Sequence, residues 1–159
     1  MSLLQSTLAS TLQNLLPTLN AAETTLAQAF GDYMKEASAG AVPINVVQID
    51  SDGVPKMAAA MNFTADSTSI EGAEQLHIGI LAFWGAMVTT PAMYFAGATA
   101  IVPPPYATLI TDLAATLDAN TSGAVSLADA AAALAADIHP MTTGLGTATL
   151  PGPSTIFIT

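Results

Sequence analysis

Thr68-Ser69-Ile70-Glu71-Gly72-Ala73-Glu74-Gln75-Leu76-His77-Ile78-Gly79-Ile80-Leu81-Ala82-Phe83-Trp84-Gly85-Ala86-Met87 decides the fold. Thr68 and Glu71 stand at the spacing of a capping box, in which a hydroxyl and a carboxylate each satisfy a backbone N–H at the helix start. Behind them Leu76, Ile80, Phe83 or Trp84, and Met87 recur at helical steps along one side. The run predicts a long α-helix with an apolar face, broken at Thr90-Pro91.

A second capping box, Ser126-Leu127-Ala128-Asp129, predicts a helix from Leu127 to about Ile138, closed by Pro140. The two boxes belong to one likeness at a constant offset of 58 residues: Asn62 aligns with Asn120, Thr64 with Ser122, Thr68 with Ser126, Glu71 with Asp129, Ala73 with Ala131, Leu76 with Leu134, and Ile80 with Ile138. One reading is a two-fold internal repeat of a helix-loop-helix unit. The other is that any capped amphipathic helix needs Ser or Thr, then an acid, then spaced aliphatics. Both give α-helical hairpins.

Towards the N-terminus, Leu4, Leu8, Leu12, Leu15 and Leu19 form one helical stripe, with a kink or stop expected near Leu16 before Pro17. Ser2 to Leu16 has no basic start, and polar residues interrupt its leucines, so it does not read as a secretory signal. Asn20 and Glu23 signal a restart, with Ala22, Leu26, Phe30 and Tyr33-Met34 continuing the apolar face up to Gly40. The β-branched run from Val42 to Ile49 predicts a short extended segment ended by the turn Asp50-Ser51-Asp52-Gly53. Pro55 is expected to open a short helix through Met61, and Pro105 one reaching about Asp118 with Leu109, Leu113 and Leu117 on one face. The expected class is therefore mostly α, a helical domain over 1–140 with residues 141–159 as an extended C-terminal arm. Leu8, Leu12, Phe30, Leu76, Ile80, Phe83, Leu113, Leu117, Leu134 and Ile138 are its expected core.

The arm is rich in Thr, Gly and Pro and ends in Ile156-Phe157-Ile158, an apolar edge that needs cover. It can fold back on its own domain or add a strand to a neighbouring subunit, and Ile156, Phe157 and Ile158 are the candidate interface residues.

Composition removes several functions. The 159 residues are 52% apolar and only 9% charged, with two lysines, no arginine and a net charge of −10. Such a chain repels polyanions and cannot neutralise several phosphates, so direct nucleic-acid binding is excluded. Without cysteine it has no disulfide, thiolate nucleophile or Cys-based metal site. From Gln75 to Thr111, and again from His139 to Thr159, no side chain carries a formal charge.

Three chemical readings compete with plain assembly. The uncharged segment Leu76 to Val102 is long enough to cross the ~30 Å hydrocarbon core. Pro91, Gly79, Gly85, Gly97, Thr89 and Thr90, with no Lys or Arg cluster on either flank, argue against insertion. Asp118 to Asp129 places oxygen side chains and a glycine as in an EF-hand or dockerin calcium loop, but lacks the stronger carboxylates at two positions. A capped helix-turn-helix generates most of that pattern, so no metal or cofactor is expected. Catalysis has the weakest basis: His77 and His139 lie on separate helices, Asp50 and Asp52 flank a turn, Glu71 and Glu74 sit where a helix N-terminus favours acids, and no nucleophile or phosphate motif occurs. A non-enzyme is expected.

The helical module Ser126 to Ile138, followed by the Thr/Gly/Pro-rich arm Thr142 to Thr159, resembles the small, Ala-rich, Cys-free structural proteins of tailed bacteriophage virions. That resemblance implies a virion component of head, neck, tail or baseplate, whose partners are itself and other structural proteins. The near absence of Lys and Arg departs from that group and argues against contact with packaged DNA.

Overall fold

The computed structural model describes residues 3–15, 22–64, 66–121, 126–152 and 154–159. Its centre is the long helix α5 (Ser69–Thr89), numbered after α1 (Gln5–Leu15), α2 (Ala22–Met34), α3 (Val46–Gln48) and α4 (Val54–Ala60). The capping box forms in full: the Thr68 N–H donates to Glu71 Oε2 at 2.8 Å, and the Glu71 N–H donates to Thr68 Oγ1 at 3.4 Å. Ala73, Leu76, Ile80, Phe83, Trp84 and Met87 are buried along its inner arc. Phe83 meets Phe30 of α2 edge-on, ring centroids 5.1 Å apart, a favoured aromatic geometry. Two glycines permit the close packing of this layer. A Cβ on Gly79 would lie 2.6 Å from Met61 Sδ, and one on Gly53 2.7 Å from the Phe83 ring.

The expected extended segment is only partly extended. Strands β1 (Ser38–Ala39) and β2 (Val42–Pro43) make a small antiparallel hairpin, turned by Gly40 at a positive φ, a conformation glycine reaches without strain. From there the chain departs from expectation. The Asn45 side chain accepts the Val47 N–H at 3.2 Å and caps α3, which runs into a π-helical turn, Ile49–Gly53, and then α4. A side chain that bonds its own backbone competes with a strand ladder, and burial of Ile49 completes the choice of helix. In the same way α2 stops at Met34 rather than reaching Gly40. Pro17 and Asn20, and the side chain of Leu12, lie outside what is described.

After Thr90 the chain makes α6 (Pro91–Tyr94), β3 (Ala100–Val102), α7 (Leu109–Thr121) and α8 (Leu127–Thr142). Helix α7 begins later than Pro105, because Tyr106 takes a positive φ and turns its ring into the core. Helix α8 passes through Pro140 instead of stopping there. Pro140 removes the donor for one carbonyl only, that of Ala136, and in the last turn the Thr142 hydroxyl and the Thr143 N–H bond the carbonyls of Ile138 and His139. Both capped helices bury equivalent positions, Ala73 and Ala131, Leu76 and Leu134, Ile80 and Ile138. Helix α5 packs between α4 and α7, whereas α8 packs against α1 and α7. Of the other expected core residues, Leu8, Phe30, Phe83 and Leu113 are buried and Leu117 is half-buried.

The C-terminal segment returns onto its own domain. Strands β4 (Thr147–Thr149) and β5 (Thr155–Phe157) join β3 in an antiparallel sheet of order β3-β4-β5. Beyond β5 the chain reaches β1: Ala39 pairs with Ile158, and Ser38 and Thr159 exchange two backbone hydrogen bonds of 2.9 and 3.0 Å. Strands β4 and β5 of the C-terminal arm expected over 141–159 thus fold back into the same sheet as residues 100–102. The segment Leu76 to Val102 is divided among α5, α6 and β3, and among the described residues no helix is long and apolar enough to cross a membrane.

Because Phe83 contacts Phe30, Gly53 and the α5 interior together, Phe83→Ala is expected to lower the unfolding free energy by about 3–5 kcal/mol. Urea denaturation followed by circular dichroism measures this, and an unchanged midpoint would contradict the central place of α5.

Candidate functional site

Both lysines are engaged within the chain. Lys35 Nζ lies 2.7 Å from Asp32 and 2.8 Å from Asp50, and Lys56 Nζ lies 2.8 Å from Asp52. Asp52 also accepts the Tyr94 hydroxyl at 3.1 Å. Burial would raise the Asp52 carboxyl, but hydrogen bonds from Lys56 and Tyr94 outweigh it and hold it below its ordinary value. For Lys35 burial pulls downward, and the bonds to Asp32 and Asp50 raise it above the usual lysine value. Asp50 and Asp52, expected as turn residues, therefore anchor the π-helical turn to α2, α4 and α6. No side-chain cation is left for an acidic partner.

The sheet has an uncharged outer face. Pairing sets Val102 beside Thr147 and Thr147 beside Phe157, so the three form one row across the strands. Val102 is 58% exposed and Phe157 59% exposed, with Leu145 also exposed. The alternate row, Ile101-Ala148-Ile156, faces the core. Of the candidate interface residues, Ile158 is fully buried inside its own subunit, Ile156 is half-buried, and Phe157 alone is presented outward. Val102 was missed by sequence reasoning. Its signal was the β-branched Ile101-Val102 pair, but its place beside Phe157 comes from a register between distant segments.

The histidines do not meet. His77 packs edge-on to Tyr106, centroids 6.1 Å apart, while His139 Nδ1 lies 2.9 Å from the Tyr33 hydroxyl and 3.1 Å from Thr143 Oγ1. Burial lowers both histidines below their ordinary value, at His139 against the pull of the α8 C-terminal dipole. A second chain of bonds runs from the Trp84 indole N–H to the Tyr106 hydroxyl at 2.6 Å and on to Thr142 Oγ1 at 3.2 Å. Thr142 in turn donates to the Ile138 carbonyl at 2.9 Å. Each hydroxyl has one hydrogen, which fixes the direction: Tyr106 donates to Thr142. Burial pushes Tyr33 up to about 12 and Tyr106 higher still. These bonds tie α2, α5 and the irregular chain before α7 to the end of α8.

The central residues 122–125 of the calcium-like loop Asp118 to Asp129 lie outside the described residues. Asp129 accepts the Ser126 hydroxyl at 2.6 Å as part of the α8 cap. Among the described residues no group of three or more His, Cys, Asp or Glu could hold a metal. Glu71 is engaged in the α5 cap, and Glu74 is exposed one turn on.

Comparison with protein families, curated proteins and solved structures found no match to this chain.

Tyrosine burial has a sign. Tyr33 keeps its proton to about 12 when folded against 10.0 when unfolded, so its contribution is complete below the lower value and is lost as pH rises between them. Tyr33→Phe should flatten the alkaline fall in melting temperature over that window. At the acid side the depressed histidines contribute above their unfolded value of 6.5 and lose that contribution as pH falls through their folded values. A melting temperature that rises on acidification from neutral pH would contradict this. Millimolar calcium is expected to leave the melting temperature unchanged, since a site confined to the folded state would raise it; a rise abolished by Asp118→Ala would establish the loop as a site.

Proposed function

We propose that this chain is a non-enzymatic structural subunit, working through contacts with copies of itself and with other structural proteins. The outer face of the β3-β4-β5 sheet carries the proposal: exposed apolar Val102 and Phe157 in one row on either side of Thr147, in a region without formal charge. A net charge of −10 repels an identical copy wherever carboxylates meet. The uncharged faces are where two copies can approach without that penalty. Burying a Phe side chain contributes roughly 1.5–3 kcal/mol, and the gain is repeated at every contact of a symmetric assembly. The resemblance to phage virion proteins supplies a setting for such a subunit, a ring or shell component.

The expected native mass is a multiple of 16.0 kDa, the same with and without mild detergent. Phe157→Asp should lower that mass while leaving the chain folded by circular dichroism, because the side chain is exposed on its own subunit and only the stabilisation from association is lost. A wild-type monomer at every concentration would end the proposal.

A further inference from the structure

Helix α5 is apolar on both sides. Its inner arc is buried, yet Ile78, Leu81 and Val88 on the outer arc are 44%, 43% and 44% exposed, with Gly85 exposed between them. A helix apolar all round belongs in an interior, and this one has an interior on one side only.

Resting on the assembly reading above, we infer that the outer arc of α5 is a two-fold contact between two copies of this chain, their α5 helices antiparallel and centred on the turn that carries Phe83. Spacing is the first argument. Ile78, Leu81, Gly85 and Val88 follow steps of three, four and three, the 3.5-residue period by which one helix keeps a straight seam against another. Self-complementarity is the second. The four positions are symmetric about residue 83, so an antiparallel copy sets Ile78 opposite Val88 and Leu81 opposite Gly85. At Gly85, apart from its chain neighbours and the surrounding helix backbone, no described atom lies within 4 Å of where a Cβ would stand, and the leucine of the second copy fills that space.

Charge selects the orientation. Glu71 and Glu74, at the N-terminal end of the same exposed arc, are its only charged residues. A parallel pair brings four carboxylates together with no free lysine to offset them, since Lys35 and Lys56 are held by Asp32, Asp50 and Asp52. An antiparallel pair separates the carboxylates to opposite ends of the contact, with Glu71 and Glu74 of each copy beyond the C-terminal end of the other's α5. Specific interfaces cover about 800 Å² per partner, more than one helical stripe. Exposed Met93, Val46 and Val47 offer further apolar surface beyond the C-terminal end of α5, where Asn45 Nδ2 donates to the Met93 carbonyl at 3.0 Å.

The chain has no cysteine, so engineered pairs report the geometry directly. In an antiparallel pair the two copies of residue 78 lie about 15 Å apart, from a 1.5 Å rise per residue, too far for a disulfide, which needs Cα atoms about 4.4–6.8 Å apart. Oxidised Ile78→Cys/Val88→Cys should therefore run as a covalent dimer, and each single variant as uncrosslinked chain. Efficient crosslinking of both single variants, or none in the double, overturns the proposal. Gly85→Glu, whose side chain enters open space in its own subunit, should lower the native mass while leaving the circular dichroism spectrum that of the folded chain, its melting temperature falling only by the lost association. An unchanged mass overturns the α5 contact. If Phe157→Asp dissociates that same assembly, the assembly reading survives the loss of this contact; a wild-type monomer at every concentration removes both. Co-sedimentation of monomeric wild type with phosphatidylcholine vesicles would assign the arc to lipid and overturn the proposal as well.

Discussion

The buried hydrogen bond from the Trp84 indole to the Tyr106 hydroxyl holds the sheet end of the molecule in place. Trp84 is fixed on α5, Tyr106 on the irregular chain before α7, and the hydroxyl passes the bond on to Thr142 at the end of α8. A polar group taken out of water without a partner costs a few kcal/mol. The three side chains satisfy one another, and among the described residues no buried side-chain polar atom lacks a partner. Gly146, just before β4, packs so near the Trp84 ring that a Cβ there would come within 2.9 Å of it. The start of the sheet is thus positioned by an indole on the opposite layer.

How much of this was written locally differs from element to element. The caps at Thr68 and Ser126 were legible because a hydroxyl and an acid three residues apart act within one turn. The break at Thr90-Pro91 and the helix start beside Pro55 were legible for the same reason, since proline acts on its neighbours. Val42 to Ile49 misled because β-branched composition describes a side chain's fit to a pleated surface, and here Asn45 capping and Ile49 burial decided. Pro140 misled because its effect depends on how many turns follow, which tertiary packing sets. Tyr106 carries no local mark of the positive φ that delays α7.

The candidate surface was legible by halves. Apolar character at Ile156-Phe157-Ile158 announced that something there needs cover, but which of the three is inward depends on strand register. Once β5 pairs with β4, alternation sends Ile156 inward and Phe157 out, and the closure onto β1 buries Ile158. Val102 enters only through the three-stranded pairing. The outer arc of α5 was hidden differently: its residues read as part of a uniformly apolar run, and only the placement of α4 and α7 divides that run into a covered and an uncovered side.

The π-helical turn with its two ion pairs has a consequence for proteolysis. Lys35 and Lys56 are the only places where a protease specific for basic residues can cut. Lys35 follows the last turn of α2, Lys56 lies within α4, and both bind carboxylates of the turn between those elements. A protease needs an extended strand of substrate, so cutting at either bond waits for this corner to open. The rate of tryptic nicking of the native chain therefore measures the opening free energy of one defined region, as long as reclosing outpaces cleavage.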